Sequence, residues 1–110
     1  MAHDEELANR LRECVQGESG VSEKRMFGGL AFLVDGNLAL SVSGRGGLLV
    51  RVDPGQSASL CSAPHVDRAV MGGRELDGWL RIDAQALGRD EELERWVAHG
   101  LARARSLPPK

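Results

Sequence analysis

Tyrosine is absent from the 110 residues, and only Phe27, Phe32, Trp79 and Trp96 are aromatic. So thin a set leaves little for the stacking platforms on which single-stranded nucleic acid lies. Lysine is scarce too. Lys24 and Lys110 stand against twelve arginines, a bias that favours bidentate pairing with carboxylates or phosphates wherever a charged site exists. The two cysteines, Cys14 and Cys61, lie far apart and make no Cys-x-x-Cys pair, which excludes a zinc ribbon and a thioredoxin-type motif. Both are expected as small core residues. His65 follows Cys61 by four residues, but two ligands are too few for a metal site, Pro64 interrupts a helix there, and no spacing requires His3 or His99 to join them. No cofactor is expected. No apolar run approaches the roughly 20 residues that span a bilayer, and the chain opens with acids instead of a basic stretch followed by an apolar one. The expectation is a cytoplasmic chain without a membrane partner.

What is there is an ordinary globular composition, 42% hydrophobic and 27% charged. At this length one domain over residues 1–110 is expected, burying roughly two-thirds of its unfolded surface around one core. The net charge of -2 is unevenly spread. Residues 1–23 hold six carboxylates against two arginines, whereas residues 24–82 hold seven basic side chains against five acids. That is a weak dipole without the clustered Lys and Arg of a duplex-binding stripe, so direct DNA binding is not expected.

The pattern along the chain yields a layout. Leu7, Leu11, Cys14 and Val15 recur at helical spacing from Asp4 to Gln16, with acids in the first turn and Gly17 and Gly20 beyond the end. Val21–Phe27 and Leu30–Val34 read as strands, the second followed by Asp35-Gly36, a hairpin signal because both turn positions tolerate positive φ. Leu38, Leu40 and Val42 alternate with Ala39, Ser41 and Ser43, predicting one apolar face. After a glycine cluster, Leu48, Val50 and Val52 point one way, Leu49 and Arg51 the other. Pro54 opens a short helix over Gln56–Ser62. Arg68–Met71 and Gly78–Ile82 read as strands around a Gly72-Gly73 turn. The last helix takes Asp90 as N-cap, with Leu93, Trp96, Val97, Gly100, Leu101 and Ala104 as its buried stripe and Pro108-Pro109 as its stop. The fold class is therefore α+β in two layers: an antiparallel sheet of about five or six strands, with an N-terminal, a short middle and a C-terminal helix packed on one face.

Catalytic templates fail. Gly44-Arg45-Gly46-Gly47 lacks the Lys and Ser or Thr of a phosphate loop and leads into a strand, so it reads as a turn. There is neither a Gly-x-Ser-x-Gly elbow nor a His-Glu-x-x-His helix. Glu91 and Glu92 belong to a solvated helix start, and no pair of carboxylates is nominated for acid and base roles. Trp79 and Trp96 are both expected as core anchors. The run Arg25-Met26-Phe27-Gly28-Gly29-Leu30-Ala31-Phe32 holds no nucleophile or metal ligand, yet its paired glycines admit close approach of a ligand or another backbone. Lys24, Arg25, Met26, Phe27, Gly28 and Gly29 are accordingly the candidate partner or ligand surface, with the exposed side of a plain first strand as the competing reading.

Arg-Met-Phe-Gly-Gly-Leu-Ala-Phe at 25–32, Gly-Arg-Glu-Leu-Asp-Gly-Trp-Leu at 73–80, and Arg-Trp-Val at 95–97 followed by Ala-Arg-Ser-Leu-Pro-Pro-Lys at 104–110 together resemble the TfoX N-terminal domain family along essentially the whole chain. The resemblance implies a two-layer α+β domain. It also implies kinship with bacterial competence regulators, which act with a cyclic-AMP receptor protein at promoters and carry a second, C-terminal domain. It supplies no catalytic residue. The resulting expectation is a non-enzymatic interaction module in transcription or competence regulation, with a protein partner such as the transcription machinery. A small sheet with open edges is also compatible with a homodimer. Two alternatives stay open: a small-molecule domain with a pocket near Gly28-Gly29, and a nucleic-acid binder that acts as a dimer through Arg45, Arg51, Arg74 and Arg81.

Overall fold

Helix α1, Glu5–Val15, forms because Leu7, Ala8, Leu11 and Val15 recur on one side, and all four are buried. The computed structural model describes residues 5–26, 29–43, 47–62 and 64–109, with the side chains of Met26 and Met71 outside that set. Asp4, where the sequence pattern starts this helix, lies outside the described residues. Arg12, on the outer side of α1, grips Glu23 through Nε and Nη2 at 3.0 to 3.2 Å, tying the helix to the first strand. That hydrogen bond raises the Arg12 pKa above its ordinary value.

Six strands follow: β1 (Val21–Met26), β2 (Gly29–Val34), β3 (Asn37–Val42), β4 (Leu48–Arg51), β5 (Val66–Met71) and β6 (Arg74–Ile82). They form one antiparallel sheet in the order β1-β2-β3-β4-β6-β5, so β1 and β5 are its edges. The β2–β3 hairpin turns on Asp35 and Gly36 with φ of 51° and 85°, the two positive values that the Asp-Gly signal requires. Gly72 and Gly73, at 59° and 80°, do the same between β5 and β6.

Register explains which side chains go inward. Leu30, Val42, Leu48, Ile82 and Val66 stand side by side on β2, β3, β4, β6 and β5, and Phe32, Leu40, Val50 and Leu80 form the next row. All nine are buried and belong to one cluster with the inward stripes of the helices. Helix α3, Asp90–Arg105, supplies Leu93, Trp96, Val97, Gly100, Leu101 and Ala104 to that cluster or its margin, the stripe its periodicity predicts. A Cβ added at Gly100 would lie 2.8 Å from the Ala39 carbonyl oxygen, so only glycine lets α3 sit this close to β3. Asp90 is the first helical residue instead of the N-cap, a place taken by Arg89 without a capping side chain. Its carboxylate accepts from Arg10 Nη2 at 3.1 Å instead, a surface link between α1 and α3.

The middle of the chain is tighter than its sequence pattern suggests. Asp53 accepts a hydrogen bond from the Gly55 N–H, Pro54 opens a 3-10 turn over Pro54–Gln56, and α2 is a single turn, Ser57–Leu60. Ser57 is fully buried, and its Oγ accepts the Gly78 N–H at 2.7 Å. A further 3-10 turn, Ala84–Leu87, buries Leu87 and is capped by Asp83. Strands β5 and β6 are longer than expected because pairing continues past an irregularity. The register passes from Arg68–Leu80 to Ala69–Leu76, leaving Asp77, Gly78 and Trp79 as extra residues on β6.

Candidate functional site

The side of the sheet away from the hydrophobic cluster carries a different set of side chains. Lys24, Ala31, Ser41, Leu49, Arg81 and Asp67 lie in register across all six strands. Each alternates with a residue of the buried side, so the row belongs to the opposite face. Beside it run Ser22, Leu33 and Leu38 on β1, β2 and β3, and Arg51 and Trp79 on β4 and β6. Leu33, Leu38, Leu49, Arg51 and Trp79 are half-buried, and none joins the main cluster.

One irregularity and one regular alternation create this surface. Between Phe32 and Leu33 the register slips so that Ala39 has no partner of its own. One extra residue reverses the side-chain parity beyond it. Leu38 therefore turns to the open face, whereas simple alternation places it with Leu40 and Val42. Trp79 is the regular case. Leu80 takes the inward position, so Trp79 points outward and is no core anchor, while Trp96 is 2% exposed and is one. The Arg51 guanidinium lies 5.0 Å from the centre of the Trp79 ring, within reach of a cation–π attraction. Burial, and next the charge of Arg103 on α3, lower the Arg51 pKa from its ordinary value. Among the described residues no carboxylate pairs with Arg51.

The candidate surface of the sequence is divided by the same alternation. Lys24 stands opposite Ala31 on the open face, whereas Arg25 stands opposite Leu30 and shares the helix-covered side, both exposed on the edge strand. Met26 pairs with Gly29 at the end of the hairpin. Phe27 and Gly28 lie outside the described residues. Lys24 thus joins a surface that sequence reasoning did not assemble, and Arg25 does not. Of the arginines proposed to form a stripe, Arg51 and Arg81 share the open face, Arg74 begins β6 at the hairpin, and Arg45 lies outside the described residues.

A cleft of about 450 Å³ opens elsewhere, between the segment entering β5 and the first turns of α3, with His65, Gln85, Arg89, Glu92, Arg95 and Trp96 among its lining residues. His65 adopts φ of 65°, and its carbonyl accepts the Asp83 N–H at 2.9 Å. Of the candidate surface, Lys24, Arg25 and Gly29 do not line this cleft. Among the described residues no three His, Cys, Asp or Glu side chains converge on a point where a metal could sit. Cys14 and Cys61 are free and half-buried at the margin of the core, more exposed than core residues. Burial raises the pKa of both thiols from the ordinary value. No helix of the described residues is long and apolar enough to cross a membrane.

Comparison with curated proteins and with solved structures gives no match. The model of the TfoX N-terminal domain, by contrast, matches residues 13–104, from the second half of α1 to the last turn of α3. That span takes in the whole sheet with both of its irregularities and every strand of the open face. The chain belongs to the TfoX N-terminal domain family.

Proposed function

We propose that this domain is a non-enzymatic interaction module that acts in the cytoplasm, in transcription or competence regulation, through contacts with another protein. The observation that carries the reading is the open sheet face, where Leu33, Leu38, Leu49 and Trp79 keep part of their apolar surface in water beside Arg51. Tryptophan and arginine are the residue types that dominate binding energy at protein interfaces. A sheet covered on one side only by helices offers such a surface without disturbing its core. The reading gives the domain no direct DNA contact, in keeping with a net charge of -2. It includes self-association at the β5 edge, where Val70 is 60% exposed, whereas β1 presents the charged Glu23, Lys24 and Arg25 that discourage edge pairing.

The test is affinity capture from native extract with the tagged full chain, read by mass spectrometry, beside Trp79→Ala. A transcription factor or polymerase subunit held by the wild type and lost by the variant supports the module. Capture of nothing but the chain itself refutes it. Sedimentation of the purified chain reads the self-association separately.

A second reading has its own observation. The cleft at α3 has a volume within the range of small-molecule sites, about 300–1,000 Å³, and carries Arg89, Arg95 and Glu92 at its rim. A metabolite that raises the melting temperature of the wild type but not of Arg95→Glu is the result expected on that reading.

A further inference from the structure

The charges on the open face favour one sign. At the positions that alternate outward on the strands, Lys24, Arg51 and Arg81 stand against Asp67 and Asp77, and Asp77 is already held by Arg68 at 3.2 Å. Acids are plentiful elsewhere: Glu5, Glu6 and Glu13 line α1, and Glu91, Glu92 and Glu94 lie along the first turns of α3. The face is thus locally basic in a chain that is acidic as a whole. Arg51 sharpens this. Its guanidinium is held against the Trp79 ring, partly stripped of water, with the charge of Arg103 nearby and, among the described residues, no carboxylate of its own. A fixed guanidinium in that setting gains more from an incoming carboxylate than an exposed, fully hydrated one does. Around Arg51 the surface is apolar, with Leu38 and Leu33 toward the β1 edge, Trp79 toward the β5 edge and Leu49 two residues before it on β4 itself.

On the interaction reading above, we propose that this face takes an acidic amphipathic segment of a partner protein, its apolar side on Leu33, Leu38, Leu49 and Trp79 and its carboxylates on Arg51 and Lys24. A second copy placed face to face by a two-fold axis sets this basic patch against the same basic patch, a like-charge arrangement that costs free energy. A nucleic-acid strand finds one tryptophan and three cations here, a stacking platform of a single ring. An acidic segment with alternating apolar residues matches both properties of the face at once.

The experiment selects random peptides of about 12 residues, the length of common peptide-recognition segments, against the immobilised full chain. The affinity of the most enriched peptide is then measured for the wild type and for Arg51→Glu, Lys24→Glu and Arg95→Glu. The expected outcome is enrichment of Asp and Glu interspersed with Leu, Phe or Trp. Binding should weaken by about tenfold or more in Arg51→Glu and by about threefold in Lys24→Glu, and stay unchanged in Arg95→Glu at the cleft. Lys24 is exposed on the edge strand, so its variant keeps the test decisive if Arg51→Glu fails to fold. Enrichment of basic or uncharged peptides, no enrichment, equal affinity in all three variants, or tighter binding of a single-stranded oligonucleotide to this face each overturns the proposal. Capture from extract separates the two ideas. A protein still held by Arg51→Glu and Trp79→Ala leaves the interaction module standing and removes the acidic segment, whereas no protein held by the wild type removes both.

Discussion

Gly100→Ala tests whether the layers are held at the distance that the absent side chain permits. The new Cβ would meet the Ala39 carbonyl oxygen at 2.8 Å and Leu40 Cδ2 at 3.0 Å, where ordinary contact begins at 3.4 Å. Alanine favours a helix interior over glycine by about 1 kcal/mol, so helix propensity alone predicts a more stable protein. The clash acts in the other direction. The oxygen belongs to Ala39, itself unpaired but held between Leu38 and Leu40, which both pair with β2, and Leu40 also with β4. The backbone can therefore give little, and relief comes mainly from α3 withdrawing by several tenths of an ångström. Trp96, Val97, Leu101 and Ala104 share that helix face, and a gap of that size forfeits a substantial part of each dispersion contact. Overpacking of this kind costs about 1–3 kcal/mol before relaxation, and the local strain is joined by the loosened contacts along the stripe. The net expectation is a loss of about 1–2 kcal/mol, lowering the melting temperature by roughly 4–12 °C, measured by circular dichroism together with urea midpoints. Gly88→Ala is the control, since Gly88 has φ of -66° and nothing within 4 Å of an added Cβ. It should leave stability unchanged or raise it by up to about 1 kcal/mol. A Gly100→Ala protein as stable as the wild type, or more so, would refute the argument that backbone contact sets the spacing of the layers.

Ser57→Ala leaves the buried Gly78 N–H without its acceptor and should cost about 1–3 kcal/mol, read as a lower urea midpoint at unchanged slope; Ser57→Thr, which keeps the oxygen, should recover part of it. Trp96→Ala should cost about 3–5 kcal/mol, whereas Trp79→Ala, outside the core cluster, should cost about 1 kcal/mol; equal losses in the two would contradict the outward placement of Trp79. His99 is a pH probe. Burial first, and the Arg95 charge second, lower its pKa below the ordinary 6.5, so the unfolded chain binds the proton more readily than the folded one. The stability associated with neutral His99 is therefore fully present above pH 6.5 and lost as pH falls through the depressed folded value. Melting temperatures taken between pH 7.5 and 5 should show a shallower decline in His99→Gln than in the wild type; parallel declines would exclude the linkage.

What was legible in the sequence is what local periodicity dictates. The α3 stripe runs for 16 residues at one period, long enough to fix its face, and it folds as read. Asp35-Gly36 and Gly72-Gly73 were legible because a two-residue hairpin demands positive φ and few residue pairs supply it. Strands are less forgiving. Six residues of alternation fix a face only if no residue is inserted, and the unpaired Ala39 is such an insertion. It sends Leu38 to the other side without any mark in composition. The Trp79-Leu80 pair is different: both residues suit a buried position by type, and it is the alternation with Arg81 and Ile82 that turns Trp79 outward and Leu80 inward. Arg51 had the right direction in the sequence, opposite to Val50 and Val52, but its ring partner lies 28 positions away and is set by strand order alone.

The run around Gly28-Gly29 drew attention because it is locally unusual, and in the fold it is part of the hairpin that begins the sheet. Lys24 and Arg25, adjacent in sequence, reach opposite faces as neighbours on a strand must. The surface with binding chemistry lies where a slipped register turns Leu38 outward and regular alternation with Leu80 and Ile82 turns Trp79 outward. Apolar residues that face outward carry a solvation cost that the core does not repay. A partner that covers them returns that cost, which is why Leu38 and Trp79, the two residues whose placement the sequence reading misses, are also the two on which the interaction reading most depends.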